Sequence, residues 1–202
     1  MGLANIAAYI TDADPQIKVK VIDFAVEKFS AKQWRKELQD FKPEVVGIGV
    51  LTLNFPHGTF IAKLTKEFDR SVLVVMGGIH ATMRSEECLN YCDVVVRGEG
   101  ELTFYELIQD RELSTIKGIS YIRDSRIVHN APRERIQNLG DLPIPAHHLF
   151  KMEKYEAYPV WGVMGSRGCP FDCIFCDSPQ MWGRIARYRS AKKIVDEIEY
   201  LH

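Results

Sequence analysis

Apolar runs and amphipathic segments alternate along the first half of the chain. Residues 45–53 form a nearly continuous apolar run, and shorter apolar runs cover residues 72–76 and 94–96. Such runs are typical of strands that are buried on both faces of a sheet. A segment with helical spacing follows each run. The pattern therefore predicts an α/β fold, a doubly wound parallel sheet with helices on both faces.

Further elements flank the predicted sheet. They are a helix over residues 1–10, a strand over 17–24, a helix over 31–41 with Ser30 as its N-cap, and helices near 59–68, 85–91 and 98–108. No strand precedes the first helix, and a predicted helix over residues 191–202 ends the chain. We therefore expect the sequence to be a fragment of a longer protein.

The character of the chain changes after residue 115. Two short apolar segments flank the polar residues 123–125, which predicts a hairpin within residues 116–130. Residues 131–150 are rich in proline and indicate a linker that runs over the surface. A new first strand is predicted over residues 160–164. The predicted organisation is an α/β domain over 1–130, a linker over 131–158 and the start of a second domain over 159–202.

Composition excludes several classes of function. The formal net charge of −1 gives no indication of nucleic-acid binding or of attraction to an anionic membrane. No apolar run approaches the roughly 20 residues that span a bilayer. Three of the five cysteines lie within eight residues, and the total is odd. This arrangement favours metal ligation over disulfides and predicts a reducing, cytoplasmic location.

The three clustered cysteines form the most specific motif in the sequence, Cys169-x-x-x-Cys173-x-x-Cys176. Thiolates are the usual ligands of iron–sulfur clusters. A [4Fe–4S] cluster held by only three cysteines leaves one iron free to bind a small molecule. A structural zinc site is the alternative, but it would need a fourth ligand from a distant histidine or aspartate. A disulfide network is a second alternative, which the odd count disfavours.

A second candidate site follows from topology. Open α/β sheets bind ligands at the carboxyl ends of their parallel strands. The predicted strands end at loops covering residues 51–57, 77–83 and 97–101. Glycines in these loops would let a flat ligand approach the backbone closely, because they lack Cβ atoms.

The cysteine motif, with aromatic Phe175 just before the third cysteine, resembles the signature of the radical S-adenosylmethionine (radical SAM) superfamily. The resemblance implies a (β/α) barrel whose first strand leads into the cluster loop. It also implies that the free iron binds S-adenosylmethionine. An electron from a donor such as flavodoxin or ferredoxin would then yield a 5′-deoxyadenosyl radical. We expect a chain with only the first barrel strand to be inactive alone.

Residues 181–190 and the three edge loops are similar to the branch of that superfamily that carries a Rossmann-like cobalamin-binding domain in front. The resemblance implies cofactor contacts at Leu51, Thr52, Asn54, Gly77, Gly78, His80, Gly98, Glu99, Gly100, Glu101 and Phe175, with the cluster on Cys169, Cys173 and Cys176. Two features depart from such domains. The Asp-x-His-x-x-Gly motif that ligates cobalt is absent, and Gly49 stands where a small hydroxyl residue is common. We therefore predict cobalamin bound with its tail base off the cobalt.

The resemblance identifies the whole protein as a cobalamin-dependent radical SAM enzyme, most simply a methyltransferase acting at an unactivated carbon of an unknown small molecule. The branch also contains cyclases and rearranging enzymes. Three alternatives remain: a radical SAM enzyme whose front domain does not bind cobalamin, a module that only binds a corrinoid, and a structural α/β domain.

Several residues also have a purely structural interpretation. His57 and His80 could be surface or hydrogen-bonding residues, and Gly98–Glu101 could simply begin a helix. We expect His147 and His148, in the linker, to be solvent-exposed. Cys88 and Cys92 lie four residues apart on one predicted helix face, and we expect them to be buried or half-buried free thiols.

Overall fold

The computed structural model describes residues 1–109, 111–156 and 162–202. The helices are α1 (Gly2–Ala13), α2 (Ala31–Phe41), α3 (Phe55–Phe68), α4 (Ile79–Met83), α5 (Ser85–Cys88), α6 (Glu101–Ile108), α7 (Ser178–Trp182) and α8 (Ala191–Leu201). The strands are β1 (Val45–Gly49), β2 (Leu73–Gly77), β3 (Val94–Val96), β4 (Ile119–Arg123), β5 (Arg126–His129), β6 (Ser166–Arg167) and β7 (Arg187–Tyr188). Two compact units result, one from Phe29–Glu134 and one from Met1–Lys28 with Arg135–His202. No helix in the described part of the chain has the length and apolar character to cross a membrane.

A five-stranded sheet in the order β1-β2-β3-β4-β5 forms the centre of the unit Phe29–Glu134. The first three strands are parallel, as predicted. The predicted hairpin is also present, but it joins the same sheet, since β4 runs antiparallel to β3. The sheet is therefore mixed rather than wholly parallel. Asp124 and Ser125 take φ values of 50° and 61°, the left-handed backbone that a tight two-residue hairpin turn requires.

Helices cover both faces of this sheet, which confirms the predicted α/β architecture. Val74, Met76 and Val95 are fully buried on one face with Ala62 of α3. Val75, Val94 and Val96 belong to the opposite core, which includes Leu107 of α6. Successive residues of a strand point to opposite faces, so uninterrupted apolar strands supply both cores at once.

Local signals in the sequence explain the bounds of several helices. The Ser30 side chain accepts a hydrogen bond from the Gln33 N–H (3.1 Å) and caps α2 as predicted. Trp34 of α2 is buried, and its indole N–H donates to the Thr65 hydroxyl of α3 (3.0 Å). The third helix begins at Phe55 rather than at residue 59. Pro56 has no N–H, and the N–H groups in the first turn of a helix have no acceptor within the helix. Proline is therefore well placed there.

The other unit combines both ends of the chain. Helix α1 buries the small residues Ala7 and Ala8 against Ala146, and Val19 and Val21 pack against the same cluster. Strands β6 and β7 pair antiparallel and are followed by α8, which Ser190 caps. The predicted helix over 191–202 is therefore confirmed. The predicted domain boundaries at residues 130 and 158 remain a prediction.

Two local predictions were wrong, and a third can be checked only in part. Residues 17–24 form no strand, because alternating apolar residues favour burial of one face but do not by themselves create the backbone pairing of a sheet. The predicted strand over 160–164 lies partly outside the described residues, and residues 162–164 are not in a strand. The predicted linker over 131–150 does not run over the surface throughout, because Leu139, Leu142 and Ala146 are buried.

Candidate functional site

The three loops predicted to bind a ligand meet at the carboxyl edge of the sheet, immediately after β1, β2 and β3. The first two are joined through their backbones: the Val50 N–H donates to the Gly77 carbonyl (2.8 Å), and the His80 N–H donates to the Val50 carbonyl (3.3 Å). The Thr52 hydroxyl and His80 Nδ1 are 3.2 Å apart. The prediction that these loops lie together at one edge of the sheet is therefore confirmed.

Gly78 makes the close approach of the first two loops possible. Its φ of 98° lies in the region that side chains rarely adopt, and a Cβ there would be 2.8 Å from the Val50 carbonyl oxygen. Any other residue would push the two loops apart.

Thr82, which the sequence analysis did not single out, connects the second loop to the third. Its hydroxyl donates to the Gly78 carbonyl (2.8 Å) and accepts from the Gly98 N–H (3.0 Å). The available signal was its position four residues after Gly78, one helical turn into α4. Gly98 has a φ of 76°, and a Cβ there would meet no other atom within 4 Å. The third loop therefore faces open space at this point.

His80 is held inside the edge rather than presented at its surface. The residue is 7% exposed, and its ring lies against Phe55 with centroids 4.2 Å apart. Its Nε2 is buried without a hydrogen-bond partner among the described residues, 3.8 Å from a carboxylate oxygen of Glu87. His80 is thus a hydrogen-bonding residue of the edge, and its predicted contact with a cofactor remains a prediction.

The remaining predicted contacts differ in accessibility. Leu51 is 55% exposed, and neighbouring Leu53 is 93% exposed, which gives the first loop an apolar surface. The Asn54 side chain stabilises its own loop, because its oxygen accepts a hydrogen bond from the Leu51 N–H (2.6 Å). Glu99 and Glu101 are both buried, so neither carboxylate is freely presented to solvent.

The cysteine loop has a fixed base and an open top. Its base is the β6–β7 ladder, and the Cys169 N–H donates to the Gly183 carbonyl (3.0 Å). Gly168 has a φ of 96°, and a Cβ there would collide with the Ile185 carbonyl oxygen. Cys169 is half-buried, whereas Cys173 and Cys176 are exposed.

The three thiols of the loop are free. Among the described residues, no group of three or more histidine, cysteine or carboxylate side chains is already arranged to hold a metal ion. Phe175, the aromatic residue of the motif, is 86% exposed. The donor set fits an iron–sulfur cluster, because it offers three thiolates on one short loop. The geometry fixes only where the loop begins and ends.

A buried group of charged residues lies beside the base of this loop. Arg187 donates to the Trp182 carbonyl (2.8 Å), and Arg189 and His147 both bind Glu197. The expectation that His147 is solvent-exposed was wrong: it is 5% exposed, because the carboxylate of Glu197 supplies a buried partner. His148 is exposed, as expected.

The other two cysteines are structural, as expected. Cys88 and Cys92 are buried and free, and the Cys92 thiol donates to the Cys88 carbonyl (3.2 Å). Burial raises the pKa of the Cys88 thiol to about 11 and that of the Cys92 thiol to about 12. Both thiols are therefore protonated and unreactive at neutral pH.

Comparison with known proteins finds relatives that match the whole chain. A methyltransferase of Pyrococcus horikoshii without an assigned substrate, PH0819, is 38% identical over the whole chain, which covers 45% of its length. The anaerobic magnesium-protoporphyrin IX monomethyl ester cyclase of Rubrivivax gelatinosus is 31% identical over 98% of the chain, which covers 38% of it. The chain thus spans less than half the length of these relatives.

Solved structures extend the likeness to the fold. The cobalamin-dependent S-adenosylmethionine radical enzyme OxsB, solved with aqua-cobalamin and S-adenosylmethionine bound, matches the whole chain with a TM-score of 0.81 at 21% identity, over 29% of its own length. The family model described as "B12 binding domain" matches residues 1–108. Because that match covers more than half of the 202 residues, the chain belongs to the B12-binding domain family, and its fold is that of OxsB.

Proposed function

We propose that the complete protein is a cobalamin-dependent radical SAM methyltransferase, of which this chain supplies the corrinoid edge and the cluster loop. The observation that carries the proposal is the pairing of three free thiols on a loop with a fixed base and a B12-binding domain in one chain. When bound, the cluster would supply the electron that cleaves S-adenosylmethionine, and the corrinoid would supply the methyl group.

The corrinoid would bind at the three edge loops. Leu51 and Leu53 offer an apolar surface to a macrocycle, and Gly98, where a Cβ would face open space, allows a close backbone approach. The hydrogen bond between Thr52 and His80 and those of Thr82 to Gly78 and Gly98 hold the loops in place before a ligand arrives. Preorganisation of this kind improves affinity, because less order has to be created on binding.

The cluster would be held by Cys169, Cys173 and Cys176. The half-buried Cys169 is fixed by the loop base, and the two exposed thiols would close over the cluster. Phe175 would shield it on the solvent side. The substrate, the electron donor and a cytoplasmic location belong to the same proposal. They rest on the family resemblance.

The cluster is tested by reconstitution with iron and sulfide without oxygen. We expect about four irons per chain and a broad visible absorption, both lost in Cys173→Ala. Cys88→Ala is the matched control, because its buried thiol is outside the loop and the variant should load normally. If a variant with all three loop cysteines replaced by alanine keeps the iron and the spectrum, the cluster assignment is wrong.

The corrinoid is tested by electron paramagnetic resonance of cobalt(II) cobalamin bound to the protein. We expect no nitrogen superhyperfine splitting from a lower axial ligand, because His80 is buried with Nδ1 beside Thr52. His57→Ala, in the same loop region, should leave the spectrum unchanged. Nitrogen splitting that disappears in His80→Ala would reject binding without a protein histidine, and no corrinoid binding would favour the structural alternative.

Cyclisation is the second candidate, since the Rubrivivax relative is named as a cyclase. The two reactions differ in the fate of the methyl group of S-adenosylmethionine. With methyl-labelled S-adenosylmethionine, a methyltransferase passes label to a product, whereas a cyclase does not. This measurement requires the complete protein.

A further inference from the structure

A buried ionic cluster occupies the unit formed by Met1–Lys28 and Arg135–His202. The carboxylate of Glu197 on α8 is 0% exposed and lies between two basic side chains. One of its oxygens is 3.0 Å from His147 Nε2, and the other accepts from the Arg189 guanidinium. Since an ionised carboxylate can only accept, His147 Nε2 carries the hydrogen of this bond.

Such a cluster needs an explanation beyond packing. A buried ion pair contributes little net stability compared with apolar residues of the same volume, yet it becomes costly when one partner is removed. Charged side chains can, however, fix the orientation of the segments that they join, because each of their hydrogen bonds has a preferred geometry. Arg189 in particular presents a planar fork that can bind several acceptors at once.

The additional partners of Arg189 all lie close to the cysteine loop or on α8. Its side chain donates to the Met164 carbonyl (3.2 Å) and to the Lys193 carbonyl (3.1 Å). Its backbone N–H donates to the Gly165 carbonyl (2.9 Å). The segment held in this way continues directly through β6 to Gly168 and the first cysteine.

We propose that Glu197 is a positioning residue for the cysteine loop. It orients Arg189, which holds residues 164–165 and so fixes the path by which the chain reaches Cys169. His147 binds the second carboxylate oxygen and keeps Glu197 from rotating away. Only the functional consequence of this role depends on the proposed cluster, since the hydrogen bonds of Glu197 and Arg189 lie within the chain itself.

The first test needs no cluster. In the cluster-free protein, the alkylation rate of Cys169 reports how firmly the loop base is held. Because Glu197→Gln removes a charge-assisted hydrogen bond, we expect Cys169 to be alkylated about tenfold faster. The exposed Cys173 and Cys176 should change little. Asp196→Asn is the matched control, the same type of change one residue away at a surface pair with Lys192.

The second test uses the loaded protein. Loss of a residue that orients a ligand-bearing segment should speed cluster loss in air about tenfold. The double variant Arg189→Met/Glu197→Leu separates positioning from stability. It removes both charges, so its thermal unfolding should return toward that of the wild type, while Cys169 stays reactive.

Each outcome decides between the claims. If Glu197→Gln leaves both Cys169 reactivity and cluster lifetime at wild-type values, the positioning role is wrong. It is equally wrong if the double variant restores Cys169 protection, because a structural role would then suffice. If the wild type takes up no cluster while Cys169 still responds to Glu197→Gln, the positioning role stands and the proposed function fails.

Discussion

The edge loops and the cysteine loop supply the two sets of proposed cofactor contacts, but they are held very differently. The edge loops follow parallel strands in register and are tied to one another by Val50, Thr82 and the backbone of Gly77. The cysteine loop is held at its base by the β6–β7 ladder, and Cys173 and Cys176 lie exposed beyond it.

The difference follows from what each loop would bind. A large, rigid macrocycle can bind to a protein surface that is already formed. An iron–sulfur cluster supplies its own bonds, so its loop can remain open until thiolates and metal come together, and binding completes the local fold. The edge loops are thus organised by hydrogen bonds, and the cysteine loop would be organised by the cluster.

The largest expected effect contrasts two glycines with positive φ. Gly168→Ala adds a collision with the Ile185 carbonyl to the backbone strain and should destabilise its unit by about 3 kcal/mol or more. Gly98→Ala meets open space and should cost only about 1 kcal/mol. Amide hydrogen exchange, analysed separately for each of the two units, measures both losses of stability. Equal costs would contradict the idea that the loop base is the rigid part of the cysteine loop.

The next effect contrasts the buried and exposed thiols. At pH 8, Cys173 and Cys176 should be alkylated at least about 100-fold faster than Cys88 and Cys92, because raised pKa values keep the buried pair protonated. Mass spectrometry after timed alkylation measures the ratio. Comparable rates would mean that the unit Phe29–Glu134 opens far more readily than its buried core indicates.

The same raised pKa values predict a pH dependence of stability. The folded state keeps both thiols protonated up to about pH 11 to 12, whereas the unfolded chain loses these protons near pH 9. The unit Phe29–Glu134 is therefore fully stabilised below about pH 9 and loses a few kcal/mol as the pH rises to 11. Urea unfolding across this range measures the loss, which Cys88→Ala/Cys92→Ala should abolish.

A smaller effect tests the connection between the edge loops. Thr82→Val removes the bonds to Gly78 and Gly98 and should cost about 1–2 kcal/mol, with corrinoid affinity reduced about tenfold. Thr59→Val is the control, since its hydroxyl bonds only the Pro56 carbonyl at the start of α3. Corrinoid titration measures both. Unchanged affinity in Thr82→Val would mean that the edge is not preorganised by this bridge.

The smallest effect concerns the top of the cysteine loop. Arg184 and Asp172 form an ion pair (2.7 Å) whose side chains are 53% and 82% exposed. Arg184→Ala should change stability by less than about 1 kcal/mol and leave iron uptake unaltered, because exposed ion pairs contribute little. A large loss of iron would show that the loop top is held before the cluster binds.

Sequence patterns predicted most of the sheet and both candidate regions. The buried strands, the Ser30 cap and the hairpin all follow from local spacing. The edge loops follow from the rule that parallel strands end at one edge of a sheet. The strand predicted over 17–24 is not formed, because alternating apolar residues indicate which side chains can be buried but do not determine where a sheet forms.

The sequence by itself determined the chemistry of the protein, namely the three thiols, the glycines at the strand ends and the apolar strands. Only the tertiary structure decided which polar residues hold them. Thr82 bonds Gly98 across 16 residues of the chain and His147 bonds Glu197 across 50, while Arg189 bonds Glu197 from eight residues away. Hydrogen bonds and ion pairs depend on distance and direction in space, and no local pattern of residues encodes those quantities.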